Sequence, residues 1–201
     1  AYKPNPGLRA ERIEALELVA QRFLGGGVQV TASAFRNRLG SLITQRVDSG
    51  DGRVVFANAG EIQSNGGELG LAVNRGYGVT GQLSYSLQRS ADRVTDVELT
   101  SSPRQMGKIV LRAPVRGNSL TAGLDAQYVS ELGTMTGRES KAYVLTNASL
   151  LAPHLGGRFV VTATVYNLFG VHYSNPGSDA HVQDVIQQDG RNFRVKTIVR
   201  F

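Results

Sequence analysis

Apolar and polar residues alternate along most of this chain with a period of two. From Val79, one face reads Val79, Gly81, Leu83, Tyr85, Leu87 and the other Thr80, Gln82, Ser84, Ser86, Gln88. Leu120, Ala122, Leu124, Ala126 and Tyr128 oppose Thr121, Gly123, Asp125 and Gln127, and Phe193, Val195, Thr197, Val199 and Phe201 oppose Arg194, Lys196, Ile198 and Arg200. Such alternation marks half-buried strands, and no stretch shows a helical period. The pattern predicts nine strands, at 11–24, 27–44, 54–75, 78–89, 103–115, 118–130, 141–152, 158–169 and 190–201. Most exceed the usual soluble strand of about five or six residues.

The connections alternate in length. Gly25-Gly26-Gly27, Arg75-Gly76-Tyr77-Gly78, Arg116-Gly117-Asn118 and His154-Leu155-Gly156-Gly157 read as tight turns. Between them fall longer polar segments: Asp48 to Gly52, Arg89 to Ser102, Glu131 to Ser140, and Gly170 to Gly190. Short turns at one end and long loops at the other characterise outer-membrane barrels. The expected fold is therefore all-β, an antiparallel up-and-down transmembrane barrel. With periplasmic turns, the last strand descends to Phe201 and residue 1 lies outside the cell. An odd strand count with unpaired edges suits a C-terminal part of a larger barrel, because open edges in lipid cost several kcal/mol per unpaired group.

Composition adjusts this picture little. Hydrophobic residues make up 41% and mean hydropathy is −0.17. No run approaches the roughly 18 apolar residues of a membrane helix, but a spanning strand needs only about 9–11, half of them polar. Cysteine is absent, which removes disulfides and thiolate metal sites. The 22 Lys+Arg exceed 16 Asp+Glu, for a net charge of +6 and a pI of about 9.9. These charges are dispersed rather than gathered in a stripe, so no nucleic-acid partner is expected. Ala1-Tyr2-Lys3-Pro4-Asn5-Pro6 is not a signal peptide, and the expectation is a mature form or a fragment.

Several segments resemble TonB-dependent outer-membrane receptors. Asn5-Pro6-Gly7-Leu8-Arg9-Ala10-Glu11 is similar to the Asn-Pro-x-Leu-x-Pro-Glu segment of that family, with Ala10 in place of proline. Glu17 resembles the glutamate of the strand that follows, and Phe56-Ala57-Asn58-Ala59-Gly60-Glu61 the Asn-Ala-Gly segment. Gly66-Gly67-Glu68-Leu69 and Ser102-Pro103-Arg104 resemble strand openings. Val165-Tyr166-Asn167-Leu168-Phe169 with Tyr173, then Gly190-Arg191-Asn192-Phe193 and terminal Phe201, resemble the close of the barrel. The resemblance implies a 22-stranded barrel, of which residues 1–201 are the C-terminal part without the plug domain or early strands. It implies localisation in the outer membrane and energised uptake of a scarce metal-chelate or similar ligand, such as a ferric siderophore, haem or cobalamin. Implied partners are the TonB complex through the plug, the barrel-assembly machinery, and outer-membrane lipid and lipopolysaccharide.

Candidate chemistry is sparse. Gly76-Tyr77-Gly78-Val79-Thr80-Gly81 matches G-x-G-x-x-G, but a strand follows instead of the helix that would receive a pyrophosphate, so it reads as a turn. Asp48 and Asp51 lack the spacing and closing glutamate of a calcium loop. His172 and His181 share a loop with Asp179, Asp184 and Asp189, where a metal or haem contact is conceivable and solvated positions are the plainer reading. No catalytic set, cofactor or resident metal is expected. Tyr85, Tyr128, Tyr143, Tyr166 and Phe169 are candidates for interfacial girdles. Phe201 is the candidate assembly signal. Arg89, Arg93, Arg104 and Arg138, with the two loop histidines, are candidate ligand contacts, since guanidinium binds carboxylate bidentately; lipid phosphate would serve them equally. A passive porin-like channel, a soluble β-sandwich binding module and an outer-membrane enzyme are the competing classes.

Overall fold

The computed structural model describes residues 2–178 and 180–201, so Asp179 lies outside the described residues. Nine long strands form one antiparallel sheet: β1 (Arg12–Gly25), β2 (Val28–Gly40), β3 (Ile62–Asn74), β4 (Thr80–Asp92), β5 (Gln105–Arg116), β6 (Leu120–Val129), β7 (Tyr143–Leu155), β8 (Phe159–Tyr166) and β9 (Asn192–Val199). Their order across the sheet is their order along the chain. This is an up-and-down meander. Among the described residues the sheet is not closed: β1 and β9 each have one neighbour. A strand of 13 residues, such as β4, extends about 44 Å, and a barrel tilt of 35–45° leaves about 31–36 Å along the membrane normal. That is enough to cross hydrocarbon.

Two expected strands are divided. The run predicted at 27–44 leaves the sheet after Gly40, and the run predicted at 54–75 joins it only at Ile62. Positive φ at Ser41 (56°) and Gly60 (146°) takes the backbone off the ladder at both places. The residues between form a separate hairpin, Ile43–Val47 with Val54–Asn58, to which Tyr2–Lys3 adds in parallel. The run predicted at 158–169 stops at Tyr166, because Asn167 turns with φ 49°. In the long connections, Leu132–Gly133 pairs with Glu139–Ser140 and Ser174–Pro176 with Val185–Gln187.

The tight turns all lie at the end of the sheet opposite these loops. Gly156 and Gly157 have φ of 59° and 76°, the double positive φ of a type I′ hairpin turn. At Gly27 a Cβ would lie 1.8 Å from the Asn74 carbonyl oxygen, so the approach of the first two turns excludes any side chain there.

Burial is unlike that of a water-soluble fold. The buried apolar residues among those described are Ala91, Val129 and Leu132, all at the loop end. Large apolar residues of the long strands are exposed, Leu18 by 75% and Leu69 by 60%. No helix is long and apolar enough to cross a membrane, which does not bear on strands.

Candidate functional site

Residues paired across an antiparallel ladder share a face, so the register sorts every strand position. One row runs Ala32, Leu69, Tyr85, Gly107, Tyr128, Val144. The next runs Val30, Leu71, Leu83, Ile109, Ala126, and toward β9 the same face carries Leu150, Ala163 and Val195. The opposite face carries Thr31, Gly70, Ser84, Lys108 and Gln127 in one row, then Asp125 with Asn147, and Ser149, Thr164 and Arg194 in another. One face is predominantly apolar, and the other carries most of the polar side chains, with Phe35, Ala72, Val110 and Leu145 among them. The apolar face suits hydrocarbon and the polar face a wet lumen.

The aromatic candidates divide between these faces. Tyr85 and Tyr128 lie on the apolar face on either side of Gly107, where an added Cβ would be 3.7 Å from Tyr128 Cβ and 3.8 Å from Tyr85 Cδ2. Tyr85 Oη donates to Gln105 Oε1 at 2.9 Å, a ring in the apolar band with its hydroxyl directed toward the loop end. Tyr143 and Tyr166 depart from the girdle expectation, because their register places them on the polar face. Tyr143 packs on Tyr173 with ring centroids 4.6 Å apart and donates to Asn175 Oδ1 at 3.3 Å. Tyr166 lies under the Arg194 guanidinium, 5.3 Å from its ring centroid, a cation–π contact. Phe169 is in the turn after β8, exposed at the loop end. Phe201 follows β9 in the parity of Val199 and is fully exposed at the short-turn end.

Each of the four arginines proposed for ligand meets a carboxylate. Arg89 bonds Glu98 and Asp96 at 3.0 Å, and Arg104 bonds both oxygens of Glu98 at 2.5 and 2.7 Å. These two guanidinium groups, Arg104 first, hold the Glu98 carboxyl below its ordinary value. Arg93 bonds Glu61 at 2.9 Å. Arg138 bonds Asp184 at 3.0 Å and so ties the β6–β7 loop to the β8–β9 loop. Burial of Asp184 opposes its ionisation, yet the Thr136 and Thr134 hydroxyls, the Thr136 N–H and Arg138 together hold its carboxyl below the usual range. A depression of 770 Å³ opens between the loops, lined by Arg89, Glu98, Arg104, Ser130, Thr134 and Arg138 among others. Arg89 also has the parity of Leu87, on the apolar side of the sheet.

The histidines do not converge. His172 is exposed, and His181 Nδ1 pairs with Ser178 Oγ at 2.8 Å within its own turn. Among the described residues no group of three His, Cys, Asp or Glu could hold a metal ion. Asp48 and Asp51 are engaged by Lys3, which holds the Asp48 carboxyl below its ordinary value.

Two constellations escape a linear reading. On the polar face, Asn147 Nδ2 donates to Asp125 Oδ2 at 2.6 Å, and Asn147 Oδ1 accepts the Asn167 N–H at 2.9 Å. Asn167 in turn accepts from Val171 N–H and donates to its carbonyl, both at 2.8 Å, closing the root of the last loop. At the other side of the sheet, Asn58 accepts from Arg9 N–H at 2.7 Å and donates to the carbonyls of Arg9 and Ser41. Asn5 donates to the Phe56 carbonyl, and Tyr2 stacks on Phe56. The segments at Asn5 and Asn58 are thus one structure.

Similarity to known proteins agrees with this geometry. The family model described as TonB dependent receptor-like, beta-barrel, matches residues 1–168. The chain belongs to that family of outer-membrane receptors. No curated protein sequence matches it. Among solved structures, the FrpB iron transporter from Neisseria meningitidis superposes with a TM-score of 0.77 at 20% identity, covering 96% of this chain and 32% of that one. The ferric yersiniabactin uptake receptor FyuA from Yersinia pestis gives 0.75 at 17%, covering 95% and 30%. The copper transporter OprC gives 0.75 at 16%, covering 96% and 32%. The chain therefore spans about a third of the length of these structures, and likeness at such identity establishes the fold alone.

Proposed function

We propose that this chain forms the C-terminal wall of an outer-membrane receptor that takes up a scarce ligand, such as a ferric siderophore, haem, cobalamin or another metal chelate, with energy supplied through TonB. The supporting observation is the nine-strand meander with one apolar and one polar face and every long loop at one end, in a chain of the receptor family. On this reading the unpaired edges of β1 and β9 meet further strands of a larger barrel, 22 in all, and a plug domain fills the lumen. The apolar face contacts outer-membrane lipid, and Phe201 is read by the barrel-assembly machinery. Relatives of similar fold carry iron, ferric yersiniabactin or copper by name, so the fold does not select the metal.

Arg138, Arg104 and the exposed His172 are the ligand contacts this reading favours among the loop residues. The carboxylates beside the first two compete with an acidic ligand and would have to yield to it. The decisive test is uptake by the full-length receptor in cells with and without TonB, with iron and copper chelates as candidate ligands. Accumulation lost with TonB supports an energised receptor. Equal flux in both strains, with conductance in planar bilayers, would instead identify a passive channel.

A further inference from the structure

Charge is sorted by height along the strands. The row Gln29, Ala72, Gln82, Val110, Asp125, Asn147 crosses the polar face. Between that row and the tight turns no described residue is Asp or Glu. The same region holds Arg75, Arg112, Arg116 and Arg158, with Arg194, Lys196 and Arg200 on or just after β9. The two ends of the sheet therefore differ in kind. At the loop end Arg89, Arg93, Arg104 and Arg138 each meet a carboxylate. At the turn end none of the cations takes part in an ion pair among the described residues.

Four of these cations form a row along the rim. Arg75, Arg116 and Arg158 stand in the β3–β4, β5–β6 and β7–β8 turns, and Arg200 follows β9. Each turn arginine adjoins a glycine at positive φ: Gly76 (68°), Gly117 (50°) and Gly157 (76°). The turns are tight for that reason, and all four arginines are exposed. The meander sets neighbouring turns two strands apart, roughly 10 Å, so the row covers about 25 Å of rim. Arg200 N–H donates to the Arg158 carbonyl at 2.9 Å, which joins the end of the row to its neighbour. Behind the row, Arg112 and Arg194 share one register row on the polar face across Gly123, Ser149 and Thr164, and Lys196 lies one row nearer the turns.

This arrangement calls for a definite chemistry. The strand cations Arg112, Arg194 and Lys196 are on the polar face, and Arg200 has the parity of Ile198 on that face, so the field points into water rather than hydrocarbon. One exposed guanidinium–carboxylate contact is weak and screened by salt. A row of four is effective only toward a partner that presents several anions at once. A spacing of roughly 10 Å is about three residues of extended chain, which suits a polymer bearing carboxylates at intervals, each able to take a guanidinium bidentately.

We propose that the turn end of β3–β9 is a docking surface for peptidoglycan, the carboxylate-bearing polymer on the periplasmic side, with its carboxylates held by Arg75, Arg116, Arg158 and Arg200. The proposal rests on the membrane-receptor reading above, which directs the turns to the periplasm, and adds a partner at the end of the sheet opposite the ligand.

The test is co-sedimentation of the full-length receptor in detergent with purified peptidoglycan sacculi at low ionic strength. The surface predicts sedimentation with native sacculi. It predicts at least fivefold less with sacculi whose carboxylates have been converted to neutral amides, and the same loss in 0.5 M salt, taken as about three times physiological ionic strength. An Arg75→Gln, Arg116→Gln, Arg158→Gln, Arg200→Gln variant loses at least fivefold. A charge-matched loop-end variant, Arg9→Gln, Arg36→Gln, Arg38→Gln, Arg46→Gln, sediments as the parent does. No sedimentation of the parent, equal sedimentation of the two variants, or indifference to amidation would overturn the proposal. Release of the receptor from sacculi by phosphatidylglycerol doped into the micelles would assign the row to lipid headgroups and overturn it as well. Heat-modifiable migration separates this from the barrel reading. An assembled barrel that ignores sacculi defeats only the docking surface, whereas a chain that never becomes heat-modifiable defeats both.

Discussion

Asn167 concentrates several local requirements in one side chain. It sits at φ 49°, is 5% exposed, and bonds the chain on both sides of the turn that ends β8. Asn and Gly tolerate that backbone far better than Ala does, and a buried amide that loses its partners strands them. Asn167→Ala is expected to cost about 1–3 kcal/mol or more at the loop root, and Asn167→Gly to recover the backbone part but not the hydrogen bonds; urea unfolding in liposomes ranks the three. Glu98 supplies a pH test. Its folded value lies below the ordinary 4.5, so its contribution is complete above that value and disappears as pH falls through the lowered one. Protease cleavage within 93–104 should therefore be slow at neutral pH and accelerate only in that acid window; a constant rate through it would contradict the Arg89–Glu98–Arg104 cluster. The sequence displays Asn167 and Arg104 inside motifs, but their partners Asn147 and Glu98 become legible only once the register is known. Arg75, Arg116, Arg158 and Arg200 are legible as residues at or beside turns, but their alignment in one row follows only from the strand order.

At the scale of the strand, alternation carries most of the information. All nine strands lie where the period of two puts them, because a lipid face and a lumen face impose that period along the whole length of each. Besides the early stop at Tyr166, the two boundaries it misses, at Ser41 and Gly60, have a physical origin. Ile43-Thr44-Gln45-Arg46-Val47 alternates as the barrel strands do, so the pattern runs on through a change of sheet. Faces are equally hidden at strand ends: one residue of slip inverts every side chain, and this is why Tyr143 and Tyr166 sit on the polar side when their position near strand ends suggested the girdle. The assigned faces make an unequal pair of substitutions in β4. Leu83→Arg, in mid-band, is expected to cost about 2–4 kcal/mol, and Gln82→Arg, one residue away on the polar face, to stay within about 0.5 kcal/mol. Denaturant titration of the assembled barrel measures both, and equal losses would mean that the faces are wrongly assigned.

The sheet as a whole has few buried apolar side chains and two unpaired edges, and its broad apolar face is far larger than the patches a soluble monomer exposes. On the reading proposed above, hydrocarbon on one side and further strands at both edges remove all three difficulties together. Phe201 belongs to this scale because the role proposed for it precedes the barrel: its deletion from the full-length receptor should lower the assembled, heat-modifiable amount without changing the stability of what does assemble. An undiminished assembled fraction would remove its role as a signal. Ligand identity stays outside the reach of the pattern, since loops that pair arginines with carboxylates suit many acidic chelates. The most direct measurement exploits the absence of cysteine from this chain. Single cysteines placed from Gln82 to Leu87 in the full-length receptor, free of other cysteines, carry a spin label in liposomes. Labels at 83, 85 and 87 should relax with dissolved oxygen and those at 82, 84 and 86 with a water-soluble nickel complex; relaxation by the water-soluble agent at all six positions would show a sheet in water and contradict the membrane barrel.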